Sequence, residues 1–163
     1  MKILPNLNKI LILLSITSLV SSLDFISKQF IINHFSLFEI KSINSVLNIF
    51  HTHNYGLAFS LFSNISKKNK YLLCLINVIT IIIVSKNLYI IPIKKIYYNI
   101  SHALIIGGAI GNLIDRIRFG FVIDFIDIHY NNWHFATFNI ADINIFLGSI
   151  IIMYFFFFIK EQQ

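Results

Sequence analysis

Seven acidic side chains are all the carboxylates this 163-residue chain has, and their placement suggests chemistry. Asp24 lies near the end of one apolar run, Asp115 closes another, and Asp142 falls just inside a third. Glu39, Asp124 and Asp127 lie in two longer polar segments, so only Glu161 stands apart. Two carboxylates sharing one proton can hydrolyse an amide, one acting as base on a water while the other donates to the carbonyl oxygen. An ionisable residue inside a span costs at least about 2.5–3.5 kcal/mol, so Asp24 and Asp142 need partners or a task. Asp24 has Lys28 four residues on, a well-oriented helical ion pair. Asp142 has no basic residue within a helical turn, and Asn139 shares its face at i−3. It is therefore the stronger candidate for acid–base work, against the alternative of a structural Asp bonded to a neighbouring helix.

Its partner is harder to choose. Val122–Ile128 is short and β-branched, which predicts a strand. Side chains alternate across a strand, so Asp124 and Asp127 face opposite ways and only one readily joins Asp142. The residue pattern alone does not say which.

Four apolar stretches must position these acids: Ile10 to about Ile32, Tyr71 to about Ile93, Ile96 to Ile114, and Phe135 to Ile159. Each approaches the roughly 20 residues that cross a bilayer. In lipid they must be helices, since an open sheet leaves its backbone unpaired. The first stretch, with Lys2, Lys9, Ser21 and Ser22, also resembles a cleavable signal peptide, but Asp24 and Lys28 would then be stranded beyond the cut. With four spans, the polar segments 34–70 and 116–134 lie on one side. Pro92, Lys94 and Lys95 mark a turn on the other. Basic residues divide six to seven between the sides, so charge bias sets no orientation. Gly107 and Gly111, extended by Ala103, form a small-residue face for a close helix neighbour, and Gly120 suits a turn.

Composition narrows the classes. The chain is 56% hydrophobic and 12% charged, against about a quarter charged in soluble domains, so lipid is the solvent. The net charge of +6 has no soluble basic face to serve nucleic acid, and lipid headgroups suit those lysines better. Cys74 is the one cysteine, in an apolar run, and reads as a buried structural residue. His51 and His53 read as loop surface residues rather than metal ligands, since no H-E-x-x-H accompanies them. The G-x-S-x-G elbow of serine hydrolases is missing. A proton-coupled carrier would place its acids near the midplane of repeated helices, whereas these gather at one edge.

In five ordered blocks the chain resembles the lipoprotein signal peptidase (signal peptidase II) family. Asp24 to Lys28 resembles D-x-x-[ST]-K, and Asn54 to Phe59 resembles N-x-G-x-A-F. Gly107 to Arg116 reads G-G-A-I-G-N-L-I-D-R, Gly120 to Phe125 matches G-x-V-x-D-F, and Phe138 to Asp142 matches F-N-x-A-D. The resemblance implies an all-α membrane protein of four transmembrane helices with a small extracytoplasmic β element, one peptidase domain over 1–163. Both termini would be cytoplasmic, in the bacterial inner membrane, with the site near the extracytoplasmic face. It implies an aspartyl endopeptidase with Asp124 and Asp142 catalytic. Asp24, Lys28, Asn54, Gly56, Gly108, Asn112, Asp115, Arg116, Asn139 and Ala141 would support the site or bind substrate. Ile143 departs from the family, which usually has a small hydroxyl residue there. The implied partners are prolipoproteins carrying a diacylglyceryl cysteine, together with membrane lipid. No metal, cofactor or nucleic acid is expected, and the chain is expected to act as a monomer.

Overall fold

The computed structural model describes residues 7–56, 70–90 and 95–158. Among the described residues, four long helices accompany a small sheet: α1 (Leu7–His34), α2 (Lys70–Ile90), α3 (Ile96–Phe119) and α4 (Ile140–Phe158). The strands are β1 (Ile40–Ser42), β2 (Leu47–Asn54), β3 (Val122–Tyr130) and β4 (Trp133–His134). By length and hydropathy, α1, α4 and Tyr71–Leu88 of α2 are each able to cross a membrane. Their outer faces carry Leu14, Ile26, Ile79, Ile83, Phe146 and Phe157 in the open. Apolar side chains so arranged are stable only against lipid, and the chain is a multi-pass membrane protein.

Helix α3 is the axis, touching α1, α2 and α4. It can do so because it is smooth. A Cβ at Gly107 would lie 2.8 Å from Val20 Cβ, and one at Gly111 would lie 2.5 Å from Asp24 Oδ2, both on α1. One at Gly108 would strike the Ala141 carbonyl of α4. The small-residue face expected from Gly107 and Gly111 is thus used against α1. Gly108 does the same service for α4.

The two polar segments meet in one antiparallel sheet of order β1-β2-β3-β4. Asn48 pairs with Asp127 and Thr52 with Asp124, with an irregularity between Ile49 and Thr52 on β2. Ile31 of α1 packs with Ile123 and Phe125 of β3, which seats the sheet on the helix ends. Beyond β3 the chain reverses tightly, Asn131 taking a φ of 52° that asparagine tolerates.

Two expected boundaries change. The third stretch continues beyond Ile114 to Phe119, where Gly120 ends the helix at φ 82° with its N–H on the Arg116 carbonyl. The fourth helix starts at Ile140 and not at Phe135, because Phe138 exchanges hydrogen bonds with Ile126 of β3. His51 and His53 lie in strand β2, where His51 is buried and bonded to the Phe35 carbonyl and His53 stacks on Phe121. Neither is the loop surface residue expected. Cys74 is only half-buried. Leu57, Ala58 and Phe59 of the second sequence block, and Pro92 with Lys94, lie outside the described residues.

Candidate active site

Where α3, α4 and the sheet converge, the acids meet. Asn139 precedes α4, and its Oδ1 accepts the Asp142 N–H at 2.9 Å, an N-cap that satisfies an otherwise orphaned donor. That bond fixes the amide's orientation, so its NH2 points outward and donates to Asp124 Oδ1 at 2.7 Å. The same NH2 lies 3.2 Å from Asn112 Oδ1. Asn112, on α3, donates in turn to Asp142 Oδ1 at 2.8 Å. The second oxygen of Asp124 receives Asn54 Nδ2 of β2 at 2.9 Å. Two carboxylates from different elements are thereby held by one amide network.

Asp124 is 2% exposed. Burial, followed by the neighbouring Asp142 charge, pushes its pKa up to about 7, against the smaller opposing effect of hydrogen bonds from Asn54 and Asn139. A carboxyl group titrating there can both hold and release a proton near neutrality. As the two acids interact, their apparent pKa values belong to the pair.

A second layer surrounds the pair. Lys28 is buried on α1 and contacts Asp24 Oδ2 at 2.6 Å, Asp115 Oδ2 at 2.9 Å and Asn112 Oδ1 at 3.0 Å. The helical ion pair expected between Asp24 and Lys28 is present, and Asp24 is fully buried rather than reaching toward headgroups. Asp24 Oδ1 also accepts the Ala141 N–H at 2.8 Å, and Asp115 Oδ2 accepts the Ile123 N–H at 3.2 Å. On the sheet side, Arg116 donates to the Gly56 carbonyl at 2.9 Å, and the Gly56 N–H returns to Asn54 Oδ1 at 2.8 Å. Gly108 completes the set by letting α3 lie directly on Ala141. The twelve residues that the family resemblance implied for the site therefore lie in one connected cluster.

Asp127 is not in it. Equally buried, it accepts from Asn48 Nδ2 at 2.9 Å and lies against His134 Nδ1 at 2.9 Å. Neither Asn48 nor His134 stood out in the sequence; the pairing of β3 with β2 reveals the first and its pairing with β4 the second. Asn139 had a legible signal as a cap, an Asn three residues before an acid at the start of an apolar run. Among the described residues, no group of three or more His, Cys, Asp or Glu is placed to hold a metal.

Long apolar helices around a buried polar cluster, with a small sheet over one end, define a helical membrane enzyme. Two solved structures described as bacterial membrane enzymes share this fold, each with a TM-score of 0.78 and 26% identity. They cover 94% and 97% of this chain, and it covers 90% and 98% of theirs. The family model for signal peptidase (SPase) II matches residues 16–158, and the chain belongs to that family. It is 52% identical over 155 residues to the lipoprotein signal peptidase of Buchnera aphidicola subsp. Baizongia pistaciae, covering 94% of this chain and 95% of that one. To the lipoprotein signal peptidase of Photorhabdus laumondii it is 42% identical, covering 78% of this chain and 76% of that one.

Proposed function

We propose that this chain removes signal peptides from prolipoproteins, cutting just before a cysteine that carries diacylglycerol, with Asp124 and Asp142 as the acid pair. The observation that carries the assignment is the amide bridge, in which Asn139 and Asn112 link the two carboxylates. The ionised member takes a proton from water, whose oxygen attacks the scissile carbonyl carbon. The protonated member gives its proton to the carbonyl oxygen, forming a neutral tetrahedral gem-diol. Collapse breaks the C–N bond as the nitrogen takes a proton back, leaving a carboxylate on the signal peptide and an amine on the lipidated cysteine. Asn54, Asn112 and Asn139 orient the carboxylates by donating to them.

Residues 1–163 act as one peptidase domain, a monomer in contact with membrane lipid. All four helices span the inner membrane, α3 included, since it is walled by the other three. Both termini are cytoplasmic, and the sheet with the site lies at the extracytoplasmic face. At that boundary a lipidated peptide and a water can both reach the acids.

Purified protein given a diacylglyceryl-modified precursor should yield the shortened product, and the unlipidated precursor should remain intact. Activity should survive EDTA, and loss restored by zinc would overturn the aspartyl reading. A reporter active only outside the cytoplasm, fused after Gln163, should be silent; an active fusion would invert the topology.

A further inference from the structure

The Lys28 ammonium has three N–H groups and three acceptors within 3.0 Å, namely Asp24, Asp115 and Asn112. Its side chain is 1% exposed. Each of the two carboxylates it joins has a second contact, and these contacts match. Asp24 holds the N–H of Ala141, the residue immediately before Asp142. Asp115 holds the N–H of Ile123, the residue immediately before Asp124. A main-chain bond at one residue constrains the next, since consecutive Cα atoms stay 3.8 Å apart across a trans peptide. The chain Ala141–Asp24–Lys28–Asp115–Ile123 therefore runs from one acid of the pair to the other. Gly111 leaves just enough room for Asp24 to take its place in it. A further constraint comes from the ammonium itself, which can only donate. It turns Asn112 Oδ1 toward itself and leaves the NH2 to face Asp142.

We propose that Lys28 is a positioning residue which, with Asp24 and Asp115, forms a buried carboxylate–ammonium–carboxylate bridge that sets the separation of Asp124 and Asp142. The proposal rests on the reading of those two aspartates as the acid pair. A lysine acting only through its charge would need no tie to the main chain on either side. This one reaches both acid-bearing segments, α4 and β3, through one carboxylate each.

The test is the pH profile of kcat on a lipidated precursor, where two acids sharing a proton give a bell whose limbs are separated by their mutual interaction. Lys28, Asp24, Asp115 and Arg116 are the charges around the pair. Asp115→Glu keeps the charge and lengthens one arm of the bridge by a methylene. The bridge requires kcat to fall by roughly 10- to 100-fold, as a misplacement of about 1 Å does, with KM little changed. It also requires the interval between the limbs to change by more than about half a unit. Asp115→Ala, which removes the tie to both Lys28 and the Ile123 N–H without adding volume, should alter the interval as well, and serves alone if the glutamate variant does not accumulate in the membrane. A pure charge role predicts a near-normal Asp115→Glu and, for Asp115→Ala, both limbs moving down together with their interval kept. That outcome overturns the bridge, as does a raised KM with kcat intact. Active Asp124→Asn and Asp142→Asn variants would defeat the functional reading, whereas inactive ones with an unchanged interval defeat only the bridge.

Discussion

Two carboxylates stand three residues apart on β3, equally buried, each receiving an N–H from an asparagine of β2: Asn54 for Asp124 and Asn48 for Asp127. What divides them is the element opposite. Asp124 faces the start of α4, where Asn139 and Asp142 stand. Asp127 faces β4, where His134 is half exposed and supplies a counter-charge when protonated. Asp127 is set against an imidazole, whereas at Asp124 burial and then the second acid across the gap raise the pKa to about 7. The difference is one of topology, since the two environments offer similar groups.

The comparison breaks most sharply at the acids themselves. Asp124→Asn and Asp142→Asn should each reduce cleavage of a lipidated precursor by roughly 10²–10⁴-fold or more, because an amide keeps the shape but cannot exchange the proton. Acting as a unit, they should be non-additive, the double variant scarcely worse than either single one. Normal turnover by both would end the aspartyl mechanism.

A smaller effect is expected from spacing. Gly108→Ala would drive a methyl group into the Ala141 carbonyl and against Ile145, so α4 must move off α3 and carry Asp142 with it. Such overpacking costs about 1–3 kcal/mol. The melting temperature should fall together with kcat, and an unchanged rate would separate helix packing from the site.

The pH dependence of stability offers a finer test. Asp124 titrates near 7 when folded and at 3.8 by its ordinary value. Between these values the folded state holds more protons than the unfolded one. The stability contributed by this group is therefore full below about 4 and declines as pH rises through about 7. Melting of the wild type from pH 4 to 8 should show this decline, and Asp124→Asn should flatten it. An unaltered slope would show that Asp124 does not carry the proton. Asp127→Asn should do least, losing about 1 kcal/mol of hydrogen bonding and keeping most of its activity. If instead Asp127→Asn were dead and Asp124→Asn active, the roles on β3 would be exchanged.

The acids, their glycine neighbours and the long helices were legible in the sequence because each depends on local type and spacing. The strand period separated Asp124 from Asp127 correctly. It could not assign either to Asp142, because that choice is made by the chain returning at Phe138 to pair with Ile126. The same return explains why Phe135–Phe138 looks like membrane helix: the residues are apolar, but their backbone is committed to β3. Strand β2 went unread because the irregularity between Ile49 and Thr52 interrupts its alternation, and His51 and His53 passed for surface residues as a result. Asn48 and His134 were invisible for a related reason, since their meaning lies in a cross-strand partner.

Asn139 closes the first turn of α4 with one atom of its amide and holds Asp124 with the other. The start of the last helix and the completion of the site are consequently a single assembly event. In a molecule whose last helix has not yet formed, β3 would carry Asp124 without the amide that holds it or the acid that faces it.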